Sequence, residues 1–269
     1  MNRIIVVTSG KGGVGKTTCT ANLGMALAKA GKRVAVIDAD FGLRNLDLLL
    51  GLENRIVYTA LDVLAGECRL DQALVKDKRQ PNLALLPAAQ NRSKESITPE
   101  QMKKLVRALT KAYNFVLIDS PAGIEMGFRN AIVAAREAII VTTPEISAVR
   151  DADRVIGLLE ANDIKAMRLI INRLKPAMVE AQQMMSVKDV QDILAVPLLG
   201  VIPDDEQVVV STNNGEPLIL DKELSKAGTA VSNIARRLQG EKVPLMDLSV
   251  PKDSFFKKLR QLFNHGHFR

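Results

Sequence analysis

Aromatic residues are scarce in this chain: no tryptophan, two tyrosines and seven phenylalanines, 3% of 269 residues. That supply argues against a paratope-like or base-stacking surface. The two cysteines, Cys19 and Cys68, lie far apart without ligand-like spacing. They exclude a four-cysteine metal site, and they make a disulfide framework improbable in a chain of this size. The expectation is a reducing, cytoplasmic compartment. Both histidines, His265 and His267, sit at the very end, so no Ser/His/Asp constellation is present. No apolar run approaches the roughly 20 residues that span a bilayer. Met1–Val7 runs straight into a strand pattern, without the layout of a signal peptide. Repeats of solenoid period are absent as well.

What is present is an ordinary globular composition, 47% apolar and 25% charged, of a length that suits one wide α/β domain. Apolar β-branched runs alternate with helical patterns. Strands are expected at Ile4–Thr8, Arg33–Asp38, Leu83–Leu86, Phe115–Asp119, Ala138–Thr142, Met167–Asn172 and Leu198–Ile202. Helices are expected at about Lys16–Ala30 with Gly31 as C-cap, Pro99–Ala112 behind the N-cap Thr98, Ser147–Asn162, Val187–Leu194 and Lys222–Leu238. Strands apolar on both faces, separated by helices, predict a mostly parallel twisted sheet covered by helices on both sides. Ligands of such sheets lie beyond the carboxyl ends of the strands. Asp38, Asp119, Thr142 and Asn172, the polar residues that end strands, should therefore share one edge.

One segment carries most of the chemistry. Gly10-Lys11-Gly12-Gly13-Val14-Gly15-Lys16-Thr17-Thr18 fits G-x-x-x-x-G-K-[ST] between a strand and a helix. Its glycines allow positive φ and let backbone N–H groups converge on an anion. The helix N-terminus adds the positive end of its dipole. Lys16 reaches the β and γ phosphates of ATP, and the Thr17 hydroxyl ligates Mg²⁺ directly. Asp38 and Asp40 are two carboxylates at the end of the second strand, and Asp38 suits a Mg²⁺-bound water.

A second lysine, Lys11, has no phosphate of its own loop left to reach. With it, G-K-G-G-V-G-K-T-T resembles the deviant Walker A motif of the MinD/ParA family of P-loop ATPases, which also includes the nitrogenase iron protein. The resemblance implies that Lys11 contacts the nucleotide of a facing subunit in an ATP-bound homodimer. It makes Asp40 the residue that positions the attacking water. Asp119, ending V-L-I-D, becomes a Walker B aspartate that reaches Mg²⁺ through water, and Gly123 a backbone donor to the γ-phosphate. Asn172 and Arg173, with Pro203 and Asp204, fall where the family holds adenine.

The tail separates members of the family. Phe255, Phe256, Leu259, Leu262 and Phe263 fall on one helical face, with Lys257, Lys258 and Arg260 off it. Residues 252–269 hold five basic residues against Asp253, a net +4 of the chain's +7, leaving the body at +3. A short basic amphipathic helix of this kind predicts attachment to an anionic membrane surface. The division is then a P-loop ATPase domain at 1–240, a linker at 241–251 and a membrane-targeting tail at 252–269. Asn264–Arg269, after the amphipathic run, carries no assigned role.

The stretches D-F-G-L-R-N-L-D, D-S-P-A-G-I-E and S-A-V-R-D-A-D-R are similar to the septum-positioning branch of the family. That branch implies a homodimer formed on ATP, peripheral on the inner face of the cell membrane. It also implies a MinC-like inhibitor and a MinE-like activator as partners, with Arg44, Asn45, Asp151 and Asp153 as candidate contacts. A ParA-like DNA-segregating ATPase is the alternative, and it would need a basic body. An iron–sulfur electron donor would need cysteines placed to bridge a cluster between subunits.

Overall fold

The computed structural model describes residues 2–41, 44–89 and 97–249. Eight strands form one sheet: β1 (Arg3–Thr8), β2 (Val34–Asp38), β3 (Val75–Lys76), β4 (Leu83–Leu86), β5 (Phe115–Asp119), β6 (Glu137–Thr142), β7 (Ala166–Leu174) and β8 (Leu198–Pro203). Their order is β3-β4-β2-β5-β1-β6-β7-β8. Every pairing is parallel except β3 with β4 at the edge.

Helices cover both faces: α1 (Lys16–Lys29), α2 (Leu46–Leu49), α3 (Ala60–Ala65), α4 (Leu70–Ala73), α5 (Pro99–Leu109), α6 (Met126–Ile132), α7 (Ile146–Ala161), α8 (Pro176–Glu180), α9 (Val187–Leu194), α10 (Glu206–Asn214) and α11 (Lys226–Leu238). The two-residue period of a strand divides the core in two. Ile4 and Val6 of β1, with Val116 and Ile118 of β5, face the layer of α5, α7 and α9. Ile5, Val7 and Leu117 face α1 and α11. α1 is buried along nearly its whole length, which is why its sequence shows so little polar stripe.

The expected strands all form, most within a residue or two of the expected ends. Five helix ends differ, two of them on α7, which runs Ile146–Ala161 where 147–162 was expected. α1 closes at Lys29, with Gly31 one position beyond the cap; the Gly31 and Lys32 N–H groups donate to the Ala28 and Leu27 carbonyls in a Schellman turn. α5 stops at Leu109, after which the Lys111 and Ala112 N–H groups donate to the Ala108 and Leu109 carbonyls in tighter turns. α11 starts at Lys226 rather than Lys222, because the Ser225 hydroxyl accepts from the Gly228 N–H and sets the first turn there. The edge strand β3 and the short helices α2, α3, α4, α6, α8 and α10 were not anticipated. Thr98 caps α5 as expected, in a reciprocal capping box with Gln101.

Gly42, Leu43 and the whole amphipathic segment Phe255–Phe263 lie outside the described residues. Before that segment, Arg237 donates to the Val243 and Pro244 carbonyls, and Met246 packs on the α1/α11 core.

Candidate nucleotide site

Parallel strands bring their carboxyl ends to one edge, and the predicted residues gather there. Asp38 and Asp119 are register partners at the ends of β2 and β5, both about 1% exposed. The loop after β1 enters α1 through Gly15, whose φ of 92° is left-handed.

Lys16 lies on Asp119. Its Nζ is 3.2 Å from Asp119 Oδ1 and 3.4 Å from Thr17 Oγ1, and its side chain is 8% exposed. The Thr20 hydroxyl donates to the same Asp119 oxygen at 2.9 Å. Thr20 was not singled out from the sequence; its place one turn after Lys16 on α1 was the available signal. Asp38 accepts two backbone N–H groups, from Asp40 at 3.0 Å and from Leu46 at 3.2 Å. The carboxylate thus ties the backbone at Asp40 and at the start of α2 to the end of β2.

Burial pushes the Asp38 carboxyl up to about 7, helped by the negative charge of Asp119 and opposed by those two N–H groups. The folded-state value is above the ordinary 3.8, so the folded chain keeps the proton longer. Stability from this group is full below pH 4 and is lost as pH rises through about 7, by up to roughly 4 kcal/mol. Urea denaturation of nucleotide-free, Mg²⁺-free protein is expected to show wild type losing ground against Asp38→Asn between pH 5 and pH 8. A difference flat with pH would mean that Asp38 ionises normally.

Lys11 does not enter its own loop. Its Nζ donates to Ser147 Oγ at 3.0 Å and lies 3.8 Å from Glu145 Oε2, at the start of α7, with the side chain 43% exposed. Gly10 explains why that helix is so near: a Cβ on it would fall 2.1 Å from the Asp151 carbonyl oxygen. Gly12 and Gly13 are exposed in the same loop, and Val14 is buried. Gly123 takes a left-handed φ of 88° in the loop after β5.

Beside the loop opens a cleft of about 1330 Å³, bordered by Gly15, Thr18, Asn172, Arg173, Pro203 and Asp204. All four residues expected near adenine are thus brought together, at the ends of β7 and β8. Asn172 also donates from Nδ2 to the Val14 carbonyl at 2.8 Å. Met178, Val179, Met184 and Met185 line the cleft as well and were not anticipated; the M-M pair between β7 and α9 was the signal. Cys19 lines the cleft too, and burial pushes its thiol up to about 12, so it is no nucleophile. Of the candidate partner contacts, Arg44 pairs with Asp47 at 2.7 Å and Asn45 opens α2. Asp151 lies 3.5 Å from Arg154, and Asp153 is exposed.

A glycine-rich loop leading from the central strand into a buried helix, with its lysine on one of two paired strand-end aspartates, defines a P-loop ATPase. Residues 5–218 match the CobQ/CobB/MinD/ParA nucleotide binding domain, and the chain belongs to that family. Within it, the chain is 65% identical to the septum site-determining protein MinD of Synechocystis sp., over 97% of this chain and 98% of the other. Among solved structures it resembles the MinC:MinD cell division protein complex of Aquifex aeolicus, with a TM-score of 0.85 and 52% identity over 91% of this chain and 99% of that one. It also resembles the septum site-determining protein MinD complexed with Mg-ADP from Pyrococcus horikoshii, with a TM-score of 0.80 and 34% identity over 90% of this chain and all of that one.

Proposed function

We propose that the chain is an ATP-gated membrane switch that helps to place the division septum. The observation that carries the reading is the convergence of Lys16, Thr17, Asp38 and Asp119 at one sheet edge, while Lys11 stays outside on the exposed side. The 65% identity to a septum site-determining protein supports the cellular role.

In this reading Gly10–Thr18 wraps the phosphates of ATP. Lys16 exchanges its contact with Asp119 for the β and γ phosphates. The buried, closely spaced carboxylates suit a divalent cation: Thr17 would ligate Mg²⁺ directly, with Asp38 and Asp119 acting through water. Mg²⁺, when bound, neutralises charge on the phosphate oxygens. Asp40 orients the attacking water, and Gly123 offers its N–H to the γ-phosphate. Lys11 leaves Ser147 and Glu145 and reaches the nucleotide of a facing copy, as a cation supplied in trans. Asn172, Arg173, Pro203 and Asp204 hold the adenine.

The domain at 1–240 then drives the tail at 252–269 through the segment 241–251. Phe255, Phe256, Leu259, Leu262 and Phe263 enter the lipid, with Lys257, Lys258 and Arg260 against anionic headgroups. Among the described residues no helix is long and apolar enough to cross a membrane, and attachment through the tail requires none. One such helix binds weakly; two on one dimer gain about 10²–10⁴-fold in avidity. A MinC-like inhibitor would ride on the dimer, and a MinE-like activator would trigger hydrolysis and release.

The test is sedimentation with anionic liposomes under ATP, ADP or no nucleotide, for the intact chain and for one ending at Pro251. Only the intact chain with ATP is expected to pellet. Equal pelleting with ADP would remove the switch from the reading.

A further inference from the structure

We infer that Asn172 is a positioning residue for the phosphate loop, orienting the Val14–Gly15 peptide so that the Gly15 N–H faces the phosphates. The inference rests on reading Gly10–Thr18 as the phosphate site. It goes further in giving Asn172 a task that needs no base.

The contact spans 158 residues of sequence. Asn172 Nδ2 donates to the Val14 carbonyl at 2.8 Å, in a buried setting. A trans peptide unit is planar, and its C=O and the following N–H point in opposite directions. Holding the Val14 carbonyl toward the end of β7 therefore turns the Gly15 N–H the other way. On the phosphate-site reading, that is the side where the free N–H groups at the start of α1 converge.

Two further features build this contact. A Cβ on Gly15 would lie 2.3 Å from Asn172 Nδ2, so glycine makes room for the amide as well as for its own left-handed φ. β7 is irregular at the same place: its pairing with β8 shifts between Ile171 and Leu174. Arg173 takes a φ of 57°, which residues with a Cβ rarely adopt. An irregularity of this kind re-aims a side chain beside a site. The amide keeps a second hydrogen and an acceptor oxygen for the cleft. Base contact and loop orientation can thus share one residue.

A ligand without a base separates the two tasks. Binding of Mg²⁺·ATP and of inorganic tripolyphosphate with Mg²⁺ is measured by calorimetry for the full-length wild type and Asn172→Ala. Loss of the clasp is expected to weaken tripolyphosphate by roughly tenfold, in line with one hydrogen bond, and ATP by at least as much. Asn172→Leu keeps the branched shape without the donor, and it serves if the alanine variant melts early; the same loss is expected. Unchanged tripolyphosphate affinity with weaker ATP would leave Asn172 a base contact alone and overturn the inference. A wild type that binds neither ligand would overturn the phosphate-site reading itself.

Discussion

Replacing Lys16 with alanine is expected to abolish ATP turnover and also to weaken the nucleotide-free fold. The first effect follows from the loop. Removing a cation aimed at charge that develops in phosphoryl transfer costs roughly 10³-fold or more. The second effect is visible only in three dimensions. In the free protein the ammonium lies 3.2 Å from Asp119 Oδ1, with both side chains at most 8% exposed, and Asp38 stands beside Asp119 in register. Taking one partner out of a buried pair leaves an uncompensated charge, at a cost of about 3–5 kcal/mol. The Thr20 hydroxyl still donates to Asp119, which favours the lower end. Phosphate release reads the first effect. Urea denaturation without nucleotide reads the second, through a lower midpoint at constant slope. An unchanged midpoint would mean that Lys16 does not neutralise Asp119 in the resting protein.

Gly10→Ala is the second large effect, and it comes from packing. The new Cβ would meet the Asp151 carbonyl oxygen at 2.1 Å and its carbon at 2.2 Å. Both are backbone atoms of α7, so no rotamer change relieves the clash and the helix has to move. Overpacking of this kind costs about 1–3 kcal/mol. The displacement also carries away Ser147 and Glu145, where Lys11 rests. Thermal melting should fall by several degrees, and Mg²⁺·ADP binding should drop by roughly tenfold as the loop is pushed out of shape. Gly12→Ala is the steric control: its Cβ would find only Ala122, at 3.9 Å, so melting without nucleotide should stay within about a degree. Equal melting of the two variants would mean that α7 does not press on the loop at Gly10.

Much of this site was legible in the sequence. The run Gly10–Thr18 announces itself because a phosphate cradle needs residue types at fixed spacing along one stretch of chain. Asp38 and Asp119 were found because apolar strands that end in aspartate place it at a sheet edge. Helix starts were legible at Pro99 behind the cap Thr98 and at Val187, whereas the equally local cap Ser225 of α11 was passed over. The short helices α2, α3, α4, α6 and α8 were not legible, since four to seven residues give too little period to read, and α10 buries only Ser211 and so shows no apolar stripe. β3 escaped for a similar reason: it is two residues long and antiparallel to β4. The elevated pKa of Asp38 depends on burial, which no residue type reveals by itself.

The sequence alone determined the class of fold, the phosphate loop and the acidic strand ends, because each rests on neighbours along the chain. Only the tertiary structure decided that Lys16 rests on Asp119, that Lys11 lies over α7, and that Asn172 holds the Val14 carbonyl. Those contacts join residues more than a hundred positions apart. The order of strands in the sheet, which no local pattern encodes, is what brings them within reach.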